Sequence, residues 1–358
     1  MKIFRKSLRA LAVILVFLMV ISAFSGCKDT KTTAIEFSAF GKDGTAVFFT
    51  EDAEYASDCM TAAEAELQTA EKDFNRTEEG SYLRELNETG ISYVSDTLKE
   101  ALEDSVIICT ALGDLVDIST GKAMSLWGFY TNSPAVPGSD ELKEAMDAQT
   151  LDKLVIARDS NKVTITDDIE IDMSPLALGI ALDRACEKTV SLNAPYLISL
   201  GDMSLAYGTG PEDGEWEIKI RDPFSDNADS FASVNVPSKS ETGTLFTSTS
   251  GVWENSFTEN GKTYHSYLDP ETGIPADNGL VSVTVITESG ITADALSDAI
   301  LVNGFTEKSL DYIESFFAEA VFVFADKTYY VTEGLREGFT LSDSSFSEHT
   351  EAPTTELF

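Results

Sequence analysis

Apolar residues recur at helical spacing through 53–75, where Ala56, Met60, Ala63, Leu67 and Ala70 share one face. The same period predicts helices over 95–115, 176–192, 292–302 and 307–317. Short β-branched or alternating runs predict strands at 45–50, 154–156, 162–165, 169–173, 196–200, 216–220, 233–236, 244–247, 263–268 and 281–286. A closing pair at 320–324 and 328–331 turns through Asp326-Lys327. Strands and helices do not alternate regularly, so the expected class is α+β, with mixed, mostly antiparallel sheets and packed helices, not a doubly wound sheet. A polar stretch precedes this region, and one rich in Ser, Thr, Glu and Pro follows it. The expected division is a linker over 27–39, one domain over 40–340 and a disordered tail over 341–358.

Residues 1–26 have a different pattern. Lys2, Arg5, Lys6 and Arg9 precede an almost unbroken apolar run from Leu11 to Phe24, too short for a comfortable membrane span, and Ser25-Gly26-Cys27 follows. This resembles a bacterial lipoprotein signal, with Cys27 as the acylated first residue of an extracytoplasmic protein tethered to the cell membrane by lipid.

The chain carries 61 acidic and 25 basic residues, a formal charge of −36. Loss of the four basic residues of the signal would take it to about −40. Such a field repels nucleic acid, and a phosphorylated ligand needs a divalent cation, backbone N–H groups or a helix N-terminus to hold it. Cys59, Cys109 and Cys186 are widely spaced, no CxxC occurs, and the histidines are His265 and His349. A zinc site or disulfide framework is therefore not expected, and buried thiols are, with a single bridge left open. No P-loop, Gly-x-Gly-x-x-Gly or Gly-x-Ser-x-Gly elbow is present.

Two segments concentrate the candidate chemistry. The run 265–273 reads as a strand entering an Asp269-Pro270 turn that closes on Gly273. About twenty residues on, Asp294 and Asp298 stand four apart, on one face of a helix, where carboxylates repel unless a cation or a proton lies between them. A hard-metal site is the expectation.

Taken in order, the motifs of residues 40–335 resemble those of the ApbE-type FAD:protein FMN transferases. The matching blocks are Phe74 through Ser81 to Asn87, Asp117-Ile118-Ser119, Leu126-Trp127-Gly128-Phe129, and Ile171-Asp172 with Ala177, Gly179 and Asp183. Trp216 through Asp222-Pro223, Thr249-Ser250-Gly251, Asp269-Pro270 with Thr272-Gly273, and Ala293-Asp294-Ala295 complete the set. The resemblance implies an ApbE-like fold with a flavin cleft between two subdomains. It also implies an enzyme that takes FAD as substrate and Mg2+ as cofactor, moves FMN to a threonine of a partner redox protein of an electron-transport system, and releases AMP. By the same resemblance the metal would be held by Asp294, Ser297, Asp298 (in place of a family threonine) and the carbonyl of Pro175. Flavin contacts would come from Asp117, Asp172, Leu178 and Leu268, and catalytic roles from Asp269 and His265, the latter as proton acceptor.

The chain departs from the family pattern at several points. Leu178 replaces a lysine or other polar residue, Ser174-Pro175 a glycine pair, and Asp202 a glycine; Asp43 and Thr77 also differ. The family histidine aligns with Ser266, one residue after His265, an offset that on a strand points to the opposite face. A non-catalytic flavin-binding lipoprotein and a surface docking lipoprotein on the same scaffold are the alternatives.

Overall fold

Nine strands form the central sheet, and their order across it is their order along the chain: Thr33–Ala39, Lys42–Phe48, Tyr196–Leu200, Met203–Tyr207, Thr244–Gly251, Leu280–Thr287, Glu319–Phe324, Thr328–Val331 and Ser347–Glu348. Neighbours pair antiparallel except the last two, which are parallel. The computed structural model describes residues 31–355 apart from 114, 132, 167–168, 190–193, 212, 228 and 239–242. Residues 1–26 and Cys27 lie outside the described residues. Among those described, no helix is long and apolar enough to cross a membrane.

The inner strands are apolar on both faces because both are covered. Val283, Val285, Ala320 and Phe322 face the main core beneath the helices. Their alternates Ile286, Val321 and Val323 face a second core under a three-stranded sheet made of Glu215–Arg221, Ser230–Pro237 and Phe339–Leu341. On the helical side, Ala53–Phe74 packs on Ala177–Thr189, which packs on Gly290–Asn303, which lies on the strands Thr244–Gly251 and Leu280–Thr287. Side-chain caps start these helices where the sequence supplies them. Asp52 accepts from the Tyr55 N–H, Ser95 from Leu98 and Ser289 from Thr292.

The fold is the expected α+β class, and four of its details differ from the sequence reading. The run 169–173 is not a strand; Asp172 donates its N–H to the Ile118 carbonyl, and only Thr120 and Glu170 form an isolated bridge. The run 263–268 leaves its hairpin after Tyr264. The linker assigned to 27–39 contains the edge strand Thr33–Ala39, whose exposure alternates residue by residue. The tail assigned to 341–358 is not free over its described residues, 341–355. Phe346 is buried and stacks on Phe231 with ring centroids 4.2 Å apart, and His349 stacks on Phe324 at 3.9 Å. Two aromatic rings in an otherwise polar segment suffice to seat it, which a composition argument overlooks. Cys59, Cys109 and Cys186 are buried and free, as expected, and the bridge left open does not form.

Candidate functional site

The site is a cavity of about 430 Å3 opening between the end of the strand Thr244–Gly251, the helix Gly290–Asn303 and the loops at 115–120, 174–178 and 266–270. Its acidic wall comes from the helix. Asp294 and Asp298 both line the cavity, one turn apart, as their spacing requires. Asp294 Oδ2 accepts from the Gly179 N–H at 2.8 Å, and its Oδ1 lies 3.5 Å from Ser248 Oγ. Ser250 Oγ lies 2.5 Å from Asp298 Oδ1 and 2.8 Å from Ser297 Oγ. Ser248 and Ser250 alternate onto the same face of their strand, so a layer of hydroxyls faces the two carboxylates.

Gly179 is required by this arrangement. A Cβ there would stand 2.4 Å from the Gly290 carbonyl oxygen and 2.8 Å from Asp294 Cβ. Asp183, one turn on, accepts from the Gly290 and Ile291 N–H groups and so holds the N-terminus of the aspartate-bearing helix.

The carboxylates are short of positive charge. Burial pushes Asp294 up to about 7 and Asp298 well above its usual range, the latter raised further by Asp294 itself. Among the described residues lining the cavity, Lys42 is the one cation, against Asp117, Asp202, Glu254, Asp294 and Asp298. Lys42 Nζ stands 4.0 Å from Asp202 and 3.8 Å from Glu254, and Asp202 also pairs with Arg221 at 3.2 Å. No cluster of three or more His, Cys, Asp or Glu capable of holding a metal occurs among the described residues. The donor set at Asp294 and Asp298 is therefore two carboxylates filled out by serine hydroxyls and the cavity-lining Pro175. This all-oxygen, under-neutralised set fits a hard divalent cation and does not suit a soft one.

The other sequence candidates divide. Leu178, Leu268, Pro175 and Asp117 line the cavity. Asp117 is spanned by the Ser119 N–H on Oδ1 and Gln149 Nε2 on Oδ2. Ser297 is fully buried behind the hydroxyl layer, against Ser248 and the Asp294 carbonyl. Asp172 does not line the cavity: Arg76 holds its Oδ2 at 2.9 Å, also binds Glu170, and donates to the Gly121 carbonyl. Asp172 is thus the buried partner of an arginine that ties three segments together. Asp269 organises a turn. Its carboxylate accepts from Glu271 N–H and its carbonyl from Gly273 N–H, while the Gly273 carbonyl accepts from Trp127 Nε1 at 2.8 Å.

His265 is also outside the cavity. It is buried, with Nε2 donating to the Ala276 carbonyl at 3.0 Å, and burial lowers its proton affinity. Ser266 lines the cavity instead, together with Tyr267 and Leu268, in the irregular stretch that follows the strand Lys262–Tyr264. Sequence reasoning missed Lys42, Glu254, Tyr267 and Tyr130, all of which line the cavity. Each lies beside or within a stretch that was read for other residues: Lys42 before Asp43, Tyr130 after Phe129, Glu254 just past Gly251, and Tyr267 inside the run 265–273.

The family model of the ApbE family matches residues 33–322. The chain belongs to the ApbE family. Among proteins similar to this ApbE-family chain, one from Haemophilus influenzae named FAD:protein FMN transferase is 27% identical over 227 residues, covering 62% of this chain and 64% of that protein. This chain thus matches a little under two thirds of that relative's length. A protein of the same name from Treponema pallidum is 27% identical over 299 residues, covering 78% of this chain and 81% of the other. The ApbE fold is matched by the crystal structure of the ApbE protein of Thermotoga maritima (TM-score 0.76, 24% identity, 85% of this chain and 97% of that one). The apo form of the Pseudomonas stutzeri flavinyl transferase ApbE matches with TM-score 0.72 at 23% identity, over 86% of this chain and 96% of that one.

Proposed function

We propose that the protein is an Mg2+-dependent FAD:protein FMN transferase that joins FMN to a threonine of a partner redox protein and releases AMP. The buried, uncompensated pair Asp294 and Asp298, in a cavity that Leu178, Leu268 and Met203 also line, carries this reading. Apolar side chains beside two unneutralised carboxylates suit a planar ring attached to a pyrophosphate whose charge is met by a metal. The relatives named FAD:protein FMN transferase support it.

Mg2+ would be held by Asp294 and Asp298, with the serine hydroxyls and Pro175 completing its oxygen donors, and when bound would offset the charge of the pyrophosphate. Gly179 fixes the rotamer of Asp294 by its N–H, and the hydroxyl layer fixes Asp298. Leu178 and Leu268 exclude water from the reacting face, which strengthens every electrostatic contact within. With a lipid anchor on Cys27, the enzyme would act on its acceptor at the outer face of the cell membrane.

Incubation of the protein with FAD, Mg2+ and a threonine-bearing acceptor should add the mass of FMN to the acceptor and release AMP. Calorimetry should show FAD binding that needs Mg2+ and is lost in Asp294→Asn. Equal affinity in EDTA and in Mg2+ would count against the reading.

A further inference from the structure

Transfer to a hydroxyl needs a group that takes its proton, and the geometry rules out most candidates. His265 spends Nε2 on Ala276 and does not reach the cavity. Asp117 is spanned by Ser119 and Gln149, and Asp202 is paired with Arg221 at 3.2 Å. Asp294 and Asp298 are the cation's carboxylates in the functional reading, and a carboxylate bound to a metal is a poor base.

Glu254 is different. It lines the cavity just beyond the strand Thr244–Gly251, and one of its oxygens is anchored: Oε1 accepts from Tyr267 Oη at 3.0 Å. Tyr267 is held in turn, its Oη accepting from the Gly251 N–H at 3.4 Å. The other oxygen, Oε2, faces Lys42 Nζ at 3.8 Å, past hydrogen-bonding distance. The Lys42 chain itself is pressed over Gly201, where an added Cβ would meet its Cδ at 2.3 Å, so the ammonium is held beside the carboxylates of Asp202 and Glu254.

We propose that Glu254 Oε2 is the proton acceptor for the incoming hydroxyl, with Tyr267 orienting the carboxylate and Lys42 steadying its charge. The inference rests on the transferase reading. In the step, the hydroxyl proton moves to Oε2 as the hydroxyl oxygen bonds to the phosphorus of the FMN half. The pyrophosphate P–O bond breaks, its electron pair leaves with AMP, and Glu254 later passes the proton to water. Burial, then Asp202 and Asp294, raise the affinity of Glu254 for this proton, while Lys42 and Tyr267 lower it; Asp298 also faces it. The balance, about 7, suits a base working near neutral pH.

The test compares parent, Glu254→Gln and Glu254→Asp, each with FAD, Mg2+ and a threonine-containing acceptor peptide, reading peptide mass and AMP release together across pH. Glu254→Gln keeps an oxygen for Tyr267, so FAD binding should change by less than about threefold while transfer falls by about 10²-fold or more, the usual scale for a positioned base. The acidic limb of the parent's kcat/KM profile should disappear in Glu254→Gln and return, at reduced rate, in Glu254→Asp. Parental rates or a retained acidic limb in Glu254→Gln would overturn the inference and leave the transferase reading standing. A parent that binds FAD with Mg2+ but flavinylates no threonine peptide would overturn that reading, and the inference with it.

Discussion

The backbone N–H of Gly179 donates to Asp294 Oδ2 across 2.8 Å, where the helices Ala177–Thr189 and Gly290–Asn303 come close enough for a Cβ at Gly179 to meet the Gly290 carbonyl oxygen at 2.4 Å. One glycine thus sets both the helix spacing and the direction of the carboxylate that faces the cavity.

Gly179→Ala should therefore cost about 1–3 kcal/mol of stability, the usual range for overpacking a tight contact. Its effect on Mg2+-dependent FAD affinity should exceed what the fall in Tm accounts for, because Asp294 is displaced as well. Calorimetry at a temperature where the variant is fully folded checks this. Unchanged affinity there would show that the Gly179 contact does not orient the carboxylate.

His265→Gln should leave FAD binding and transfer within a few-fold of the parent, because the imidazole anchors the loop at Ala276 from outside the cavity. Its signature is in stability. Burial lowers its folded-state proton affinity, so the unfolded chain protonates first as pH falls. The stability conferred by the neutral ring is present above the ordinary histidine value of about 6.5 and is lost as pH falls below it. Denaturant melts from pH 7.5 to 5 should show a steeper acid loss in the parent than in His265→Gln.

Glu254 predicts the opposite pH trend. Its folded-state value is raised to about 7, so its contribution is fully present below the unfolded carboxylate value of about 4.3 and is lost as pH rises through about 7. In EDTA, Glu254→Gln should have a higher Tm than the parent at pH 8, and the difference should vanish near pH 4.5. A variant less stable than the parent at pH 8 would mean that Lys42 compensates the buried charge fully.

Phe346→Ala should destabilise by about 3–5 kcal/mol, the range for removing a buried phenyl ring. The ring is buried against Phe231, and the segment it anchors pairs Ser347 with Thr328 at the sheet edge. Chemical denaturation measures the loss, and limited proteolysis should cut the variant within 343–355. A loss under about 1 kcal/mol would show that the C-terminal segment is only laid on the surface.

Local pattern was enough for the long helices, the inner strands and the pairing of Asp294 with Asp298, because periodicity and side-chain spacing act within one element and need no partner. The Asp269–Gly273 turn was legible for the same reason; Gly179 and Thr249-Ser250-Gly251 stood out only through the family resemblance. What each residue faces was not. His265 and Asp172 have the right chemistry and the wrong direction: one is turned to Ala276 in the irregular stretch after the strand Lys262–Tyr264, the other is claimed by Arg76, which lies 96 residues away along the chain. Glu254 and Lys42 meet only because the strand Lys42–Phe48 and the turn after the strand Thr244–Gly251 converge on one cavity. Such encounters belong to the packing of distant segments, where burial sets the protonation of each carboxylate and decides which of several like residues is left with an oxygen to use.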